Sequence, residues 1–202
     1  MTDSPDTGLP SGSATTQGRE TRLRIFSAAL TLVNERGYEG TTIPLVCEKA
    51  GVSVGTFYHH FRSKSDILLA YVRDESESLL AYYSSLDDLP RIDALLLCVR
   101  RFFGYYSTKG RSFVSSFLSI LLSEGVRWFD PRELSLQYIV RDCLERGVAT
   151  GEFNGGRNAD EALALATGLV WDLSCSWCID GGPAELAELA EERFRRLFDL
   201  VQ

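Results

Sequence analysis

The sequence predicts an all-α protein of about nine helices, and three observations carry that prediction. Apolar residues recur at the three- and four-residue spacing of a helical face, while no stretch alternates at strand period over a useful length and no internal repeat is present. Helix-start signatures recur at Ser63 with Asp66, Asp130-Pro131-Arg132-Glu133, Asn158 with Glu161, and Gly182-Pro183. The 202 residues are 45% hydrophobic and 24% charged, the balance of a soluble globular chain long enough for one or two small helical domains with a core.

Residues 1–18 are mostly Pro, Ser, Thr, Gly and Asp, and are expected to form a disordered tail because they have too little apolar surface to bury. The first helix is expected from near Arg19, with Ile25, Phe26, Ala29, Leu32 and Val33 on one face and Gly37 as its stop. Thr42 stands where a second helix needs an N-cap, and Pro44 follows in the first turn, where a missing N–H costs nothing. Leu45, Val46 and Ala50 supply the contacts of that helix. Gly51 permits a sharp turn into a very short third helix, capped by Ser53 and ending about His59. A fourth starts at the Ser63 and Asp66 box and runs to Tyr82-Tyr83. The last helix presents Leu186, Leu189, Ala190, Phe194, Leu197 and Leu200 along one side. Ala162–Ile179 is apolar nearly all round, with Asp172 its only charge. It is expected to be too short, and too interrupted by Gly168, Ser174 and Ser176, to span a membrane. A helix apolar on all sides needs cover on all sides, so the expected partner is a second copy, the last two helices of each forming a four-helix dimer interface.

A formal net charge of −7 argues against nucleic acid only when it is evenly spread. Residues 75–202 carry 13 basic and 20 acidic side chains, whereas 19–74 carry eight basic and six acidic. The acidity therefore belongs to the C-terminal part, and a patch of about three or four Lys/Arg in the mildly basic N-terminal part suffices for phosphate contact. Five cysteines form no even framework and no signal-peptide pattern opens the chain, which points to reduced thiols and a cytoplasmic location.

The window 51–68, GVSVGTFYHHFRSKSDIL, concentrates small and hydroxyl residues, both histidines of the chain, and Arg62 and Lys64. Three readings compete: a metal or catalytic site, ordinary packing, and a head that reads DNA. Adjacent His59 and His60 point about 100° apart on a helix, which suits one metal poorly, and no Cys or carboxylate stands at ligand spacing to them. No Ser-His-acid set, nucleophile–base pair or phosphate loop is visible, so an enzyme is not expected. Two short helices joined at Gly51 form a helix-turn-helix pattern, with Cys47 small enough for a close crossing. The second helix of such a pattern meets base edges in the major groove through its N-terminal residues, which must be slender and polar. Ser53, Val54, Gly55 and Thr56 fit: Thr56 can hydrogen-bond and Val54 can touch a thymine methyl. Phe57 and Phe61 face the core, while Tyr58, His59 and Lys64 can donate to phosphates, as can helix N-termini at Thr42 and Ser63.

The run GYEGTTIPLVCEKAGVSVGTFYHHFRSKSDIL resembles the N-terminal domain of the tetracycline-repressor (TetR) family of transcriptional regulators. The likeness rests on Gly37-Tyr38, Thr41-Thr42, Ala50-Gly51-Val52-Ser53, Gly55-Thr56, Tyr58, Phe61, and Ser63-Lys64 followed by Leu68. It covers roughly residues 19–70. Val46-Cys47 in place of the family's usual Ile-Ala pair, and Pro44 inside the second helix, depart from the pattern but are compatible with the fold. The resemblance implies a helix-turn-helix domain over 19–70 and an all-helical ligand-binding and dimerisation domain over 71–202. It also implies phosphate contacts from Thr42, Tyr58 and Lys64, base or groove contacts from the Ser53–His59 helix, and a pocket for a small effector.

The C-terminal part is rich in the aromatic side chains such a pocket needs. Phe102, Tyr106, Phe113, Phe117, Trp128, Tyr138 and Trp171, with Asp172, are the candidate ligand contacts, core packing being the alternative for each aromatic. Asp172 either faces a cationic ligand, pairs with an arginine at the subunit interface, or is simply exposed; an aromatic pocket with one acid favours a flat, apolar cation. Cys175 and Cys178, three apart, share a helix face. Packing and a thiol or metal sensor are both open, although a helix end disfavours thiolate. The expected function is a homodimeric, ligand-responsive transcriptional regulator needing no cofactor, a repressor released from a near-palindromic double-stranded DNA operator by a small molecule. The alternative is a sensor on the same frame acting through Cys175 and Cys178.

Overall fold

The computed structural model describes residues 16–123, 135–152, 159–181 and 185–199. Among them nine α-helices and no strand follow one another: α1 Thr16–Arg36, α2 Ile43–Ala50, α3 Val54–His60, α4 Lys64–Ser84, α5 Arg91–Lys109, α6 Arg111–Ser123, α7 Ser135–Thr150, α8 Ala159–Asp180 and α9 Leu186–Asp199. The all-α expectation holds. The start signals at Asp130-Pro131, Asn158 and Gly182-Pro183, and residues 1–15 of the expected tail, lie outside the described residues. The first helix begins at Thr16 rather than near Arg19. An already nucleated helix adds polar residues at its end at little cost, since each gains a backbone bond without needing burial.

The first three helices make a head around the predicted face of α1. Ile25, Phe26, Ala29, Leu32 and Val33 are buried, as are Val46, Cys47 and Ala50 of α2 and Phe57 and Phe61 at the third helix. Gly51 closes α2 with φ +64°, the left-handed conformation that costs glycine least. Ser53 caps α3, its Oγ accepting from the Thr56 N–H at 3.0 Å. Ser63 caps α4 in the same way through the Asp66 N–H at 3.0 Å, while the Asp66 carboxylate accepts from the Arg62 N–H at 2.8 Å. Thr42 holds the N-cap position of α2, yet its side chain makes no capping bond, contrary to expectation. Pro44 explains part of this: at the second helical position it removes one of the two N–H groups such a cap bonds.

α4 passes from the head into the body. There α5 packs chiefly on α9 and α7, and α8 lies against α7, α6 and α9. Leu95, Leu96, Phe103, Ile139, Phe194 and Phe198 fill the centre. Arg100 ties α5 to α9 through Glu188 at 2.6 Å and Glu191 at 3.1 Å. Arg91 is buried at the start of α5, where its guanidinium donates to the carbonyls of Leu86, Asp87 and Leu89 and to the Asp87 carboxylate. The α4–α5 turn is thereby pinned without an unpaired buried charge.

The eighth helix exceeds the expected 162–179, and by length and composition alone Asp160–Asp180 could cross a membrane, so shortness does not exclude a span. Its packing is that of a core helix: Ala162, Leu163, Ala166, Val170, Leu173 and Trp177 are buried. Its other side, with Ala164, Leu165, Gly168, Asp172, Ser176 and Ile179, is exposed. In α9, Leu186, Ala190, Phe194 and Phe198 are buried while Leu189 and Leu197 are half-buried, so the inner stripe leans further toward Phe198 than expected; Leu200 lies outside the described residues.

Candidate nucleic-acid interface and interior cavity

Buried Phe57 and Phe61 hold the third helix so that its N-terminal end faces outward. Ser53, Val54 and Gly55 are exposed, Val54 by 46%. Around a Cβ placed on Gly55 the nearest group is the Ser53 Oγ at 3.7 Å, ordinary contact. Nothing inside the chain demands glycine there, so its missing side chain matters only to something approaching from outside. The Ser53 and Thr56 hydroxyls are 2.8 Å apart, which orients both at the helix start. Tyr58 is 55% exposed, with its ring edge-on to Phe57 at 5.4 Å. His59 is exposed and His60 half-buried, their rings 5.1 Å apart. Burial, then the charges of His59 and Arg22, lower the pKa of His60. Among the described residues no group of three or more His, Cys, Asp or Glu could hold a metal.

The cations of the head divide into committed and free. Lys64 donates to the Tyr38 carbonyl at 2.6 Å and lies 3.8 Å from the Tyr38 ring centroid, so one of its three N–H groups braces the head and two remain for a phosphate. Arg22 pairs with Asp74 at 3.3 Å and Lys49 with Glu35 at 3.6 Å. Arg62, between Tyr58 and Lys64 in the chain, is exposed, and its side chain has no ion pair among the described residues. Sequence reasoning saw Arg62 in the window but left it out of the contact set; its place beside the two expected phosphate donors was the available signal. Thr42 is exposed at the N-terminus of α2 with its hydroxyl unused by the cap.

A cavity of about 260 Å³ lies between α4, α5, α6 and the start of α7. Phe102, Tyr106, Phe113 and Phe117, four of the predicted ligand contacts, stand in its wall. Three others do not. Tyr138 is 44% exposed on the outer side of α7, whose inner side is Leu136, Ile139, Val140 and Cys143. Trp171 is half-buried and absent from the wall. Asp172 is exposed and pairs at 2.9 Å with Arg193 of its own chain, which removes it as the acid of the pocket. Helical position assigned these residues to a helix correctly; which neighbour each face meets is a tertiary matter. Trp128 lies outside the described residues. The wall also includes Val72, Glu75 and Leu79 of α4, and Arg101 and Tyr105 of α5, which sequence reasoning missed. For Val72 and Leu79 the signal was the continuation of the α4 apolar stripe beyond Leu68, and for Tyr105 its place among the aromatics of α5. The Tyr105 hydroxyl is buried with no hydrogen-bond partner among the described residues. The Tyr106 hydroxyl pairs with that of Ser174 in α8 at 3.1 Å.

Burial raises the pKa of Cys175, aided by Asp172, and that of Cys178, aided by Cys175. A protonated thiol is a poor nucleophile and metal ligand, so these surroundings work against the sensor alternative.

Residues 25–71 match the family of bacterial regulatory proteins described as the tetR family. Over 170 residues the chain is 34% identical to the HTH-type transcriptional regulator UidR of Escherichia coli (strain K12), across 78% of this chain and 84% of UidR. Identity to the HTH-type transcriptional repressor KstR2 of Mycolicibacterium smegmatis is 23% over 181 residues, 85% of either chain. The crystal structure of the transcriptional regulator FadR from Bacillus subtilis, in complex with stearoyl-CoA, superposes with a TM-score of 0.67 at 19% identity, over 87% of this chain and 96% of that one. That last likeness is one of fold alone.

Proposed function

We propose, because this chain belongs to the TetR family of bacterial transcriptional regulators, that it acts as a homodimeric repressor which a small molecule releases from a near-palindromic DNA operator in the cytoplasm. The observation that carries this reading is the slender start of α3, with Ser53, Val54 and Gly55 exposed and Thr56 half-buried, set on buried Phe57 and Phe61. A dimer brings two such ends to successive major grooves, about 34–36 Å apart on one duplex face. Tyr58, Lys64, Arg62 and Thr42 flank that end and supply donors to phosphates, which set register and orientation. His59, exposed at the far end of the same helix, adds another.

The half-covered α8 supports the dimer. Its outer stripe mixes Leu165 and Ile179 with Ala164, Gly168 and Ser176, small residues that let a second helix approach closely. With α9 it would form the four-helix interface between copies.

The cavity supports the effector. At about 260 Å³ it falls just below the ~300–1,000 Å³ of drug-sized ligand sites, and its wall is mostly ring and aliphatic surface. A compact, largely apolar ring compound matches that volume and lining. An acceptor on that compound would give the Tyr105 hydroxyl the partner it lacks among the described residues. Release follows when the effector binds better to a conformation whose two α3 helices are wrongly spaced for DNA. A mobility-shift assay across genomic fragments tests the proposal. It predicts tight binding to a few fragments with inverted half-sites, and loses its ground if the protein binds all fragments alike or none.

A further inference from the structure

We infer that Tyr71 of α4 transmits occupancy of the cavity to the DNA-binding head, an inference that rests on the ligand-release reading above. Tyr105 and Phe113 stand in the cavity wall. Both rings also touch Tyr71: Tyr105 stacks on it with centroids 5.7 Å apart, and Phe113 meets it edge-on at 6.1 Å. Tyr71 in turn stacks on Phe26 of α1 at 3.7 Å with the planes only 6° apart. Phe113 reaches Phe26 as well, edge-on at 6.2 Å. An unbroken sequence of ring contacts thus runs from the cavity to the helix on which α2 and α3 are built.

The α5–α6 corner closes the same joint from the side. The Lys109 ammonium lies 4.8 Å from the Tyr71 centroid and 5.0 Å from that of Tyr105, and 5.9 Å from Phe26, gathering the three rings under one cation. The Lys109 carbonyl accepts from the Asn34 side chain of α1 at 2.9 Å. Gly110 comes so close that a Cβ there would sit 2.9 Å from the Asn34 Oδ1. Both flanks of this corner, Tyr105 and Phe113, are cavity wall.

Close-packed interiors pass a displacement on, because there is no slack to absorb it. A molecule that pushes Tyr105 or Phe113 must move Tyr71, and Tyr71 at stacking distance must carry Phe26 and the axis of α1. Since α1 packs on α2, and α2 on α3, the recognition end turns with it.

The test fills the cavity from within, so no effector need be known. Val114→Phe places a ring in the cavity from α6, and Leu79→Phe does so from α4. Each is measured for affinity to a duplex selected from a random pool by the wild-type protein, in three backgrounds: wild type, Tyr71→Leu and Tyr71→Phe. Circular dichroism melts show which variants fold, and either filler suffices. Filling is expected to weaken binding about tenfold in the wild-type and Tyr71→Phe backgrounds, and by less than about twofold in Tyr71→Leu, where the stack is gone. An equal loss in all three backgrounds overturns the role of Tyr71 and leaves ligand release standing. No loss in any background, with folded protein, overturns ligand release through this cavity and the relay with it.

Discussion

Arg62 and Lys64 stand two positions apart and differ in what holds them. The Arg62 side chain has no ion pair among the described residues, so Arg62→Ala removes a phosphate donor and little else. It is expected to weaken binding to every duplex alike and to lower the salt slope by about one unit, as is Tyr58→Ala by loss of its hydroxyl donor without the slope change. Mobility shifts at several salt concentrations check both. Lys64→Ala should weaken DNA binding too, but also lower the urea midpoint, because the Tyr38 carbonyl loses its donor, worth about 1 kcal/mol. Changes at Val54 or Thr56 should instead alter which sequences are preferred. Asp172→Asn breaks the exposed pair with Arg193, so its cost to the stability of the subunit by urea denaturation should be under about 1 kcal/mol. The thiols make a further residue-scale prediction. Burial pushes Cys98 and Cys143 up to about 12, and a raised thiol pKa means the unreactive S–H form dominates at every pH below it. At pH 8 iodoacetamide should leave both unlabelled until the protein is unfolded, as mass spectrometry would show. Cys175 and Cys178, raised chiefly by burial, should label slowly, and oxidant should leave DNA binding unchanged.

At the scale of elements, turns carry as much information as helices. Gly51 and Gly110 both adopt positive φ, at +64° and +83°, but a Cβ meets nothing within 4 Å at Gly51 and the Asn34 side chain at Gly110. Gly51→Ala should therefore cost the backbone strain alone, about 1 kcal/mol. Gly110→Ala should cost clearly more, since α1 must also give way, and urea denaturation of the two variants ranks them. The head was almost fully legible in the sequence, because its caps and faces are local: Ser53 and Ser63 need only a helix starting beside them, and Ile25 to Val33 only a period. Even the idle hydroxyl of Thr42 has a local cause in Pro44. The cavity was legible only in part. Phe102, Tyr106, Phe113 and Phe117 line it, but Tyr138, Trp171 and Asp172 do not, while Glu75 and Tyr105 line it from outside the expected contact set. Periodicity says that a residue lies on a given face of its helix; whether that face meets a cavity, α9 or solvent depends on how helices far apart in sequence cross. Asp172 shows the difference: an acid in an apolar helix leaves a cationic ligand, an interface arginine and plain exposure open, and its partner within the chain is Arg193 of another helix.

For the whole molecule the decisive question is whether two heads act on one duplex, as proposed. The eighth helix is buried on one side only, and the apolar stripe it leaves outside, with Ile179 78% exposed, is an unusual surface for a chain that works alone. A second copy pairing stripe to stripe, as proposed, would cover it by an isologous contact, with Gly168 and Ala164 letting the helices close upon each other. No residue of this α8 stripe, Leu165 and Ile179 included, lies in the head, so the proposed interface can be broken without touching the DNA-binding surface. Leu165→Glu with Ile179→Glu places like charges opposite one another across the two-fold axis. Sedimentation equilibrium is expected to show this variant as a folded monomer, with the wild type a dimer. Its affinity for an inverted-repeat duplex should fall at least about a hundredfold, the scale of avidity that linking two binding modules supplies, while its weak binding to a single half-site should match that of the wild type. Arg62→Ala should do the opposite: weaker binding to either duplex with the dimer intact. If the doubly substituted protein still sediments as a dimer, the contact lies elsewhere than on α8; if it is a monomer yet binds the inverted repeat as before, one head is enough and the paired-groove account fails.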